Sequence, residues 1–347
     1  MSRAPEVDER AILDAVEALR RGECVGMPTE TVYGLAADAL NPQAVARVFE
    51  IKRRPAFDPL IVHVSPEMDV SQWVSLSDTG RALVGQFWPG PLTLLALKTS
   101  LISDLVTSGH ETVAVRCPAH PIARALINAF GSPLVAPSAN LFGQLSPTSA
   151  AAVRDGLGDD VPIVLDGGPC QVGLESTIVD STAPAPHLPV LRLGGLDPRS
   201  LSHLGYELSY PTPIIGRAPG TLKNHYAPRL PLYLIETDSH GSRAAARSDA
   251  CHTIDPSRFA YLAWREARPE FGVSEVLSAR GDSIEAATRV FAALRRLGHG
   301  TWDGIIAELP PTHGLGEAIR DRLKRGASGY AHVRSGLWEV PHSPEST

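Results

Sequence analysis

Ile12, Ala15, Val16 and Leu19 form an i, i+3, i+4, i+7 stripe, which predicts an amphipathic helix closed by Gly22. A short strand follows over 23–27. Pro28-Thr29-Glu30-Thr31 then interrupts regular structure before a small apolar run over 32–37. Asn41-Pro42 reads as an N-cap and first helical position, opening a helix through Arg54 with Val45, Val48 and Phe49 inward, and Pro55 stops it. A strand is expected over 60–64, and a helix near 79–87 ends at Trp88-Pro89-Gly90-Pro91. Further strands are expected over 92–97, 112–115, 134–136, 163–165, 176–179 and 189–193, with helices over 121–130 and 148–157. Strands and helices mix without strict alternation. The pattern therefore predicts an α/β fold: an open, twisted, mixed sheet with helices packed on it.

The pattern lapses over 209–229, SYPTPIIGRAPGTLKNHYAPR, a stretch rich in proline and glycine that reads as a linker or a functional loop. Alternating units follow, with strands over 232–235, 259–264 and 304–308 and helices near 242–247, 283–297 and 316–324. That alternation predicts a smaller Rossmann-like α/β domain. The expected organisation is a first domain over 1–208, a linker over 209–229 and a second domain over 230–347. A length of 347 residues agrees, since single cores stop growing near about 250–300 residues.

Composition narrows the class. Hydrophobic residues make up 43% and charged residues 20%, which is globular, and no apolar run approaches the ~18 residues of a membrane helix. MSRAPEVDER has no apolar stretch, so no secretory signal is expected. Cys24, Cys117, Cys170 and Cys251 lie far apart with no CxxC pair, which fits a reducing cytoplasm. Residues 1–208 hold 15 Lys+Arg against 23 Asp+Glu, so no broad face for gripping nucleic acid is expected there. Between Val84 and Val153 the only charges are Lys98, Asp104, Glu111, Arg116 and Arg124. So charge-poor a stretch is mostly buried, and an ion pointing inward within it needs a reason.

Several residues invite chemistry, each with a plainer alternative. Lys52 falls on the apolar side of its helix, where it either snorkels outward or meets an anion; with Arg53 and Arg54 it also complements the helix C-terminus. Arg116 ends a strand inside the charge-poor stretch, so it binds an anionic ligand or forms an ion pair, for example with Glu111 or Asp166. Pro137-Ser138-Ala139-Asn140 and Ser146-Pro147-Thr148 follow a strand's carboxyl end, where α/β sheets bind ligands, yet the same residue types form turns and caps. Thr29, Glu30 and Thr31 are either a capped turn or ligand donors. His63 within an apolar strand is more simply a core histidine. No P-loop, GxGxxG, GxSxG or HExxH pattern occurs, and Cys117 with His120 lacks further metal ligands.

Taken together, the ordered set resembles the threonylcarbamoyl-AMP synthases with a YrdC-like domain, in their long two-domain form. The set comprises Pro28-Thr29-Glu30-Thr31-Val32-Tyr33-Gly34-Leu35, Lys52-x-Arg54-Pro55, Pro59-Leu60-Ile61-Val62-His63 and Trp88-Pro89-Gly90-Pro91-Leu92-Thr93. It continues with Thr112-Val113-Ala114-Val115-Arg116, Pro137-Ser138-Ala139-Asn140, Gly173-x-Glu175-Ser176-Thr177, Ala218-Pro219-Gly220 and His225-Tyr226-Ala227-Pro228. It ends at Gly314-Leu315-Gly316-x-Ala318-Ile319-x-Asp321-Arg322. The resemblance implies a nucleotidyltransferase that condenses L-threonine, bicarbonate and ATP into threonylcarbamoyl-AMP and pyrophosphate. The product would pass to a tRNA threonylcarbamoyl transferase complex. It also implies that Lys52 and Arg54 neutralise phosphate charge, with Mg²⁺ bound mainly through ATP, and that Arg116 clamps threonine's carboxylate. Thr31, His63, Ser138 and Ser176 are implied to contact threonine or its carbamate. Thr112, Ser138, Asn140, Ser146, Arg192 and Tyr226 are implied to contact ATP, with the linker as a lid.

Two positions depart from the family's usual pattern. Asp58 stands where asparagine is usual, and near ATP it would repel phosphates unless it binds Mg²⁺ or pairs with Arg54. Leu193-Gly194-Gly195 replaces a commoner Pro-Gly. Two other readings are a carbamoyl-adenylate-forming carbamoyltransferase relative and a non-catalytic RNA-binding module. The first lacks its upstream zinc-finger cysteines here, and the acidic balance of residues 1–208 argues against the second.

Overall fold

The computed structural model describes residues 7–211, 219–220, 225–236 and 251–341. The helix expected near 242–247 and much of the 209–229 stretch lie outside them. The chain divides into two compact units, Met1–Phe142 with Ser146–Leu222, and Gly143–Leu145 with Lys223–Thr347.

The first unit contains strands β1 (Val25–Met27), β2 (Gly34–Asp38), β3 (Ile61–His63), β4 (Val74–Ser75), β5 (Leu92–Lys98), β6 (Thr112–Arg116), β7 (Leu134–Val135), β8 (Thr177–Asp180), β9 (His187–Arg192) and β10 (Glu207–Ser209). Its helices are α1 (Glu9–Arg20), α2 (Pro42–Lys52), α3 (Asp78–Phe87), α4 (Asp104–Thr107), α5 (Pro121–Phe130), α6 (Ala150–Leu157) and α7 (Arg199–Ser202). The ten strands form one mixed sheet, in the order β1-β2-β7-β3-β6-β5-β8-β9-β10, with β4 on β5. Pairs β3/β6, β5/β8 and β9/β10 are parallel, and the rest are antiparallel.

The two faces differ. One carries Val62, Leu94, Ala96, Val113, Val115, Val135 and Val179, which pack with Val45 and Val48 of α2, Leu83 of α3, Val106 of α4 and Val153 of α6 into the main core. On the other face, Ile12, Val16 and Leu19 of α1 and Leu126 and Ile127 of α5 cover Val25, Met27, Ala36 and Leu134 of β1, β2 and β7. Further along that second face, β3, β6, β5 and β8 offer only a small apolar floor of Ile61, Ala114, Leu95 and Ile178. The candidate site lies beside this floor.

Local sequence accounts for two features that aim the site's side chains. Asn41 caps α2 through hydrogen bonds from Gln43 N and Ala44 N, and Pro42 opens the helix. The helix closes at Lys52 rather than Arg54, because Arg53 turns into the left-handed region at φ 49° and ψ 41°. For a residue with a Cβ this costs about 1 kcal/mol. The turn leaves Arg53 exposed while Lys52 and Arg54 both become buried. The strand expected over 163–165 reduces to a single bridge between Gly26 and Val164, since Pro162 precedes it and Asp166-Gly167-Gly168 follows. The strand expected over 112–115 extends by one residue, which brings Arg116 into β6.

The second unit adds β11 (Leu232–Glu236), β12 (Cys251–Thr253), β13 (Ala260–Ala263), β14 (Val273–Val276), β15 (Ile305–Leu309), β16 (Gly329–Tyr330), β17 (His332–Arg334) and β18 (Leu337–Pro341), with helices α8 (Ser283–Gly298) and α9 (Gly316–Gly326). Five strands form a wholly parallel sheet, β14-β13-β15-β11-β16, the Rossmann-like arrangement expected from the alternation. A three-stranded antiparallel sheet, β12-β18-β17, was not anticipated. Its Trp338 and Val340 pack with Tyr261, Phe271 and Ile306 in this unit's core.

Candidate active site

Strand register brings the first group of residues together. Thr93 of β5 pairs with Arg116 of β6, and Arg116 pairs with His63 of β3. Thr93 also pairs with Ile178 of β8; Ile178 pairs with Arg192 of β9 at a shift of register, and Arg192 is tied to this side by its hydrogen bonds to Ser176. Residues in register share a face, and Ser176, two before Ile178, shares it by the strand's period of two. His63, Arg116, Thr93, Ser176 and Arg192 therefore form a row along one end of the sheet, all of them buried.

Arg116 is held by three acceptors. Its Nε donates to Gly90 O at 3.1 Å, Nη1 to Thr31 Oγ1 at 2.8 Å and Nη2 to Glu30 Oε1 at 2.5 Å. The other carboxylate oxygen of Glu30 accepts the backbone N–H of Ala119 at 3.1 Å. The ion-pair partner is thus Glu30, not Glu111 or Asp166. Glu111 is exposed before β6 begins, and Asp166 is exposed and lies 3.5 Å from the Tyr33 hydroxyl. The Glu30 turn is fixed by Thr29, whose Oγ1 donates to Val32 O at 2.6 Å and accepts from Thr31 N and Val32 N. Val172 N and Gly173 N donate to Glu30 O and Thr31 O, tying this turn to the loop that carries Glu175 and Ser176.

His63 Nδ1 lies 3.1 Å from Ile61 O. That carbonyl can only accept, so Nδ1 carries the proton and Nε2 is left as an acceptor. Burial first, then the neighbouring Arg116, pulls the imidazole pKa down to about 3, so the ring is neutral at physiological pH.

A second group gathers at the end of α2. Lys52 is 1% exposed, and its Nζ donates to the carbonyls of Ser138 at 2.5 Å and Asn140 at 2.6 Å. Burial, with the nearby charge of Arg54, lowers its pKa well below that of a free lysine, and Asp58 opposes the shift. Arg54 donates from Nε to Asp58 O at 3.0 Å and from Nη2 to Pro59 O at 2.8 Å, and Nη2 lies 2.9 Å from Asp58 Oδ2. Asp58, the residue that departs from the family pattern, is therefore the partner of Arg54. Burial raises its carboxyl pKa, while Arg54, Lys52 and Arg192 each pull it down.

Arg192 stands between the two groups. Its Nε and Nη2 donate to Ser176 O at 3.1 and 2.9 Å, and Nη1 donates to Pro219 O at 3.0 Å. Ser146 donates to Glu175 Oε1 at 2.5 Å, a buried carboxylate that reasoning from sequence quoted only as part of a motif. Asn140 is buried and donates to Leu141 O. Thr112 begins β6, four residues from Arg116 and hence about 13 Å along the strand. Tyr226 belongs to the second unit, where it stacks on Phe291 at 5.6 Å and lies under the Arg322 guanidinium at 5.0 Å. Thr93 was not singled out as a site residue, and Glu30 was read as part of a capped turn or a ligand donor rather than as the partner of Arg116. The charge-poor surroundings of Arg116 were the available signal for Glu30, and the strand period was the signal for Thr93.

The two groups differ in charge. Three cations, Lys52, Arg54 and Arg192, act on the carboxyl of Asp58, whereas Arg116 is ion-paired with Glu30. The first group concentrates the positive charge that a polyanion requires, and the second has its charge balanced within the protein.

A family model described as Telomere recombination matches residues 17–194, and a second, described as Threonylcarbamoyl-AMP synthase, C-terminal domain, matches residues 201–328. The threonylcarbamoyl-AMP synthase of Pyrococcus abyssi is 36% identical over 343 residues, covering 94% of this chain and 97% of that protein. That of Bacillus subtilis is 38% identical over 333 residues, covering 92% and 93%. The crystal structure of P. abyssi Sua5 complexed with L-threonine superposes with a TM-score of 0.83 at 32% identity, covering 93% of this chain and 95% of that one.

Proposed function

The chain belongs to the threonylcarbamoyl-AMP synthases in their two-domain form, and from that premise we propose how its two buried groups divide the reaction. It is an L-threonylcarbamoyladenylate synthase, a nucleotidyltransferase with threonine as substrate. Threonine's amine captures carbon dioxide derived from bicarbonate as a carbamate. A carbamate oxygen then attacks the α-phosphate of ATP, and pyrophosphate leaves. Such chemistry asks the protein mainly for positioning and charge neutralisation.

Arg116 binds the threonine carboxylate through its fork, with Thr31, His63 and Ser176 around the substrate. Because Glu30 already balances Arg116, the pocket matches a zwitterion of zero net charge. Lys52, Arg54 and Arg192 supply the positive field for the triphosphate, with Ser138, Asn140, Ser146 and Thr112 as further nucleotide contacts. Lys52 also holds the Ser138–Asn140 loop by its carbonyls, so charge and loop geometry come from one side chain. Among the described residues no three His, Cys, Asp or Glu side chains gather as a metal ion requires. The nearby carboxylates are occupied, Asp58 by Arg54, Glu30 by Arg116 and Glu175 by Ser146. Mg²⁺ would enter with ATP, where it would screen the phosphates. The product goes on to a tRNA-modifying transferase. Among the described residues no helix is long and apolar enough to cross a membrane, and the four cysteines are unpaired, which supports a cytoplasmic enzyme.

The observation that carries this reading is the contrast in charge between the two groups. Purified protein given ATP, bicarbonate and labelled threonine is expected to release pyrophosphate only when threonine is present. Threonine-independent release, or none, would overturn the assignment. Arg116→Ala is expected to weaken threonine binding at least tenfold more than ATP binding.

A further inference from the structure

Thr93 and Ser176 form a buried hydroxyl pair, Oγ1 to Oγ at 2.7 Å, beside Arg116 in the row described above. A hydroxyl has one proton to give and two lone pairs to receive, so the direction of this bond follows from the neighbours. Ser176 Oγ accepts from Arg192 Nη2 at 3.1 Å. Thr93 is 0% exposed, and among the described residues its hydroxyl has no partner other than Ser176. Both hydroxyls are buried, so in either direction one proton is left for an acceptor outside the pair, and that acceptor can be the substrate only if the free proton is that of Ser176. With Ser176 as the substrate contact, Thr93 donates. Both lone pairs of Ser176 are then filled, by Arg192 and Thr93, and its own proton has nowhere to go but the ligand.

We propose that Thr93 is a positioning residue that fixes Ser176 as a hydrogen-bond donor toward an anionic oxygen of the substrate, the carboxylate of threonine or of its carbamate. The inference rests on the reading of Ser176 as a substrate contact.

The test is steady-state pyrophosphate release at varied threonine and varied ATP for Thr93→Val, Thr93→Ser and Ser176→Ala, with melting temperatures. Thr93→Val keeps the shape and removes the donor. It is expected to lose about tenfold in kcat/KM for threonine, leave the KM for ATP within about twofold, and melt near wild type. Thr93→Ser restores the donor and should return to within about threefold. A purely structural role would lower the melting temperature and move both substrates' parameters together. If Thr93→Val does not fold, Thr93→Cys, with a weak donor of similar size, carries the same expectation. Threonine kinetics within twofold of wild type in Thr93→Val, alongside a clear loss in Ser176→Ala, would overturn the proposal. A silent Ser176→Ala would overturn it too, and would place the fault in the assignment of Ser176.

Discussion

Arg116 and Lys52 are both buried cations of the first unit, and they are satisfied in opposite ways. Arg116 meets a carboxylate, so its charge is balanced before any ligand arrives. Among the described residues Lys52 Nζ donates to the carbonyls of Ser138 and Asn140, whose dipoles hold an ammonium in place without cancelling its charge, and Asp58 acts on it without a direct ion pair. Pairing with an ion fixes geometry and removes field, whereas holding by carbonyls fixes geometry and keeps it. A pocket for a zwitterionic amino acid needs the first arrangement and a triphosphate pocket the second. The second has a cost, since burial desolvates the ammonium and Arg54 repels it, which is why the Lys52 pKa falls although Asp58 opposes the shift.

The largest effect that would test this contrast comes from deleting the two carboxylates. Glu30→Ala leaves Arg116 buried without its counter-ion, which typically costs about 3–5 kcal/mol. Asp58→Ala should cost less, about 1–2 kcal/mol, because Arg54 keeps the carbonyls of Asp58 and Pro59 and a carboxylate disfavoured by burial is removed. Urea unfolding of the two variants measures both. Equal losses would mean that Asp58 balances Arg54 as fully as Glu30 balances Arg116, and the contrast would fail.

His63, beside Arg116, gives a smaller effect with a definite sign. Its folded pKa of about 3 lies below the 6.5 expected when unfolded. Below pH 6.5 the unfolded chain takes up a proton that the native ring refuses, so stability falls as pH falls toward 3, by at most about 1.4 kcal/mol per unit. His63→Leu should flatten that slope, sparing about 2 kcal/mol of the loss between pH 7 and pH 5. An unchanged slope in the variant would show that His63 already carries its proton in the folded protein.

Much of this was legible in the sequence because it rests on short-range rules. The α2 start at Asn41-Pro42, the apolar stripe of α1 and the small parallel sheet follow from capping and periodicity. That Arg116 needed a partner was equally plain, since it stands in a charge-poor stretch. Which carboxylate it takes was not, because Glu30 lies 86 residues away and reaches it only through the folded turn at Thr29. The Thr93–Ser176 pair, 83 residues apart, depends on strand register in the same way. The antiparallel β12-β18-β17 sheet was missed because short strands carry too few residues to show a period. Lys52 was placed on the correct helix face, but its carbonyl partners depend on how the Ser138–Asn140 loop returns beneath α2.

The smallest expected effect bears on Lys52 most directly. In the free enzyme its pKa lies well below that of an ordinary lysine, and bound phosphates must raise it. Between those two values ATP binding takes up a proton, so ATP affinity falls as pH rises through that window, by at most about tenfold per unit. Above the titration of a terminal phosphate near about 6, calorimetry over a series of pH values in two buffers of different ionisation heat should reveal an uptake of up to one proton per ATP. Lys52→Arg separates charge from placement, since a guanidinium keeps donors for the Ser138 and Asn140 carbonyls yet does not deprotonate. The variant should bind ATP with no proton uptake and a flatter pH dependence. If wild type takes up no proton, Lys52 is already charged in the free enzyme, and a buried ammonium can be held by carbonyls alone without the cost assigned to it above. If the Lys52→Arg variant takes up as many protons as wild type, the uptake belongs to another group, with Asp58 the first to examine because burial raises its pKa as well.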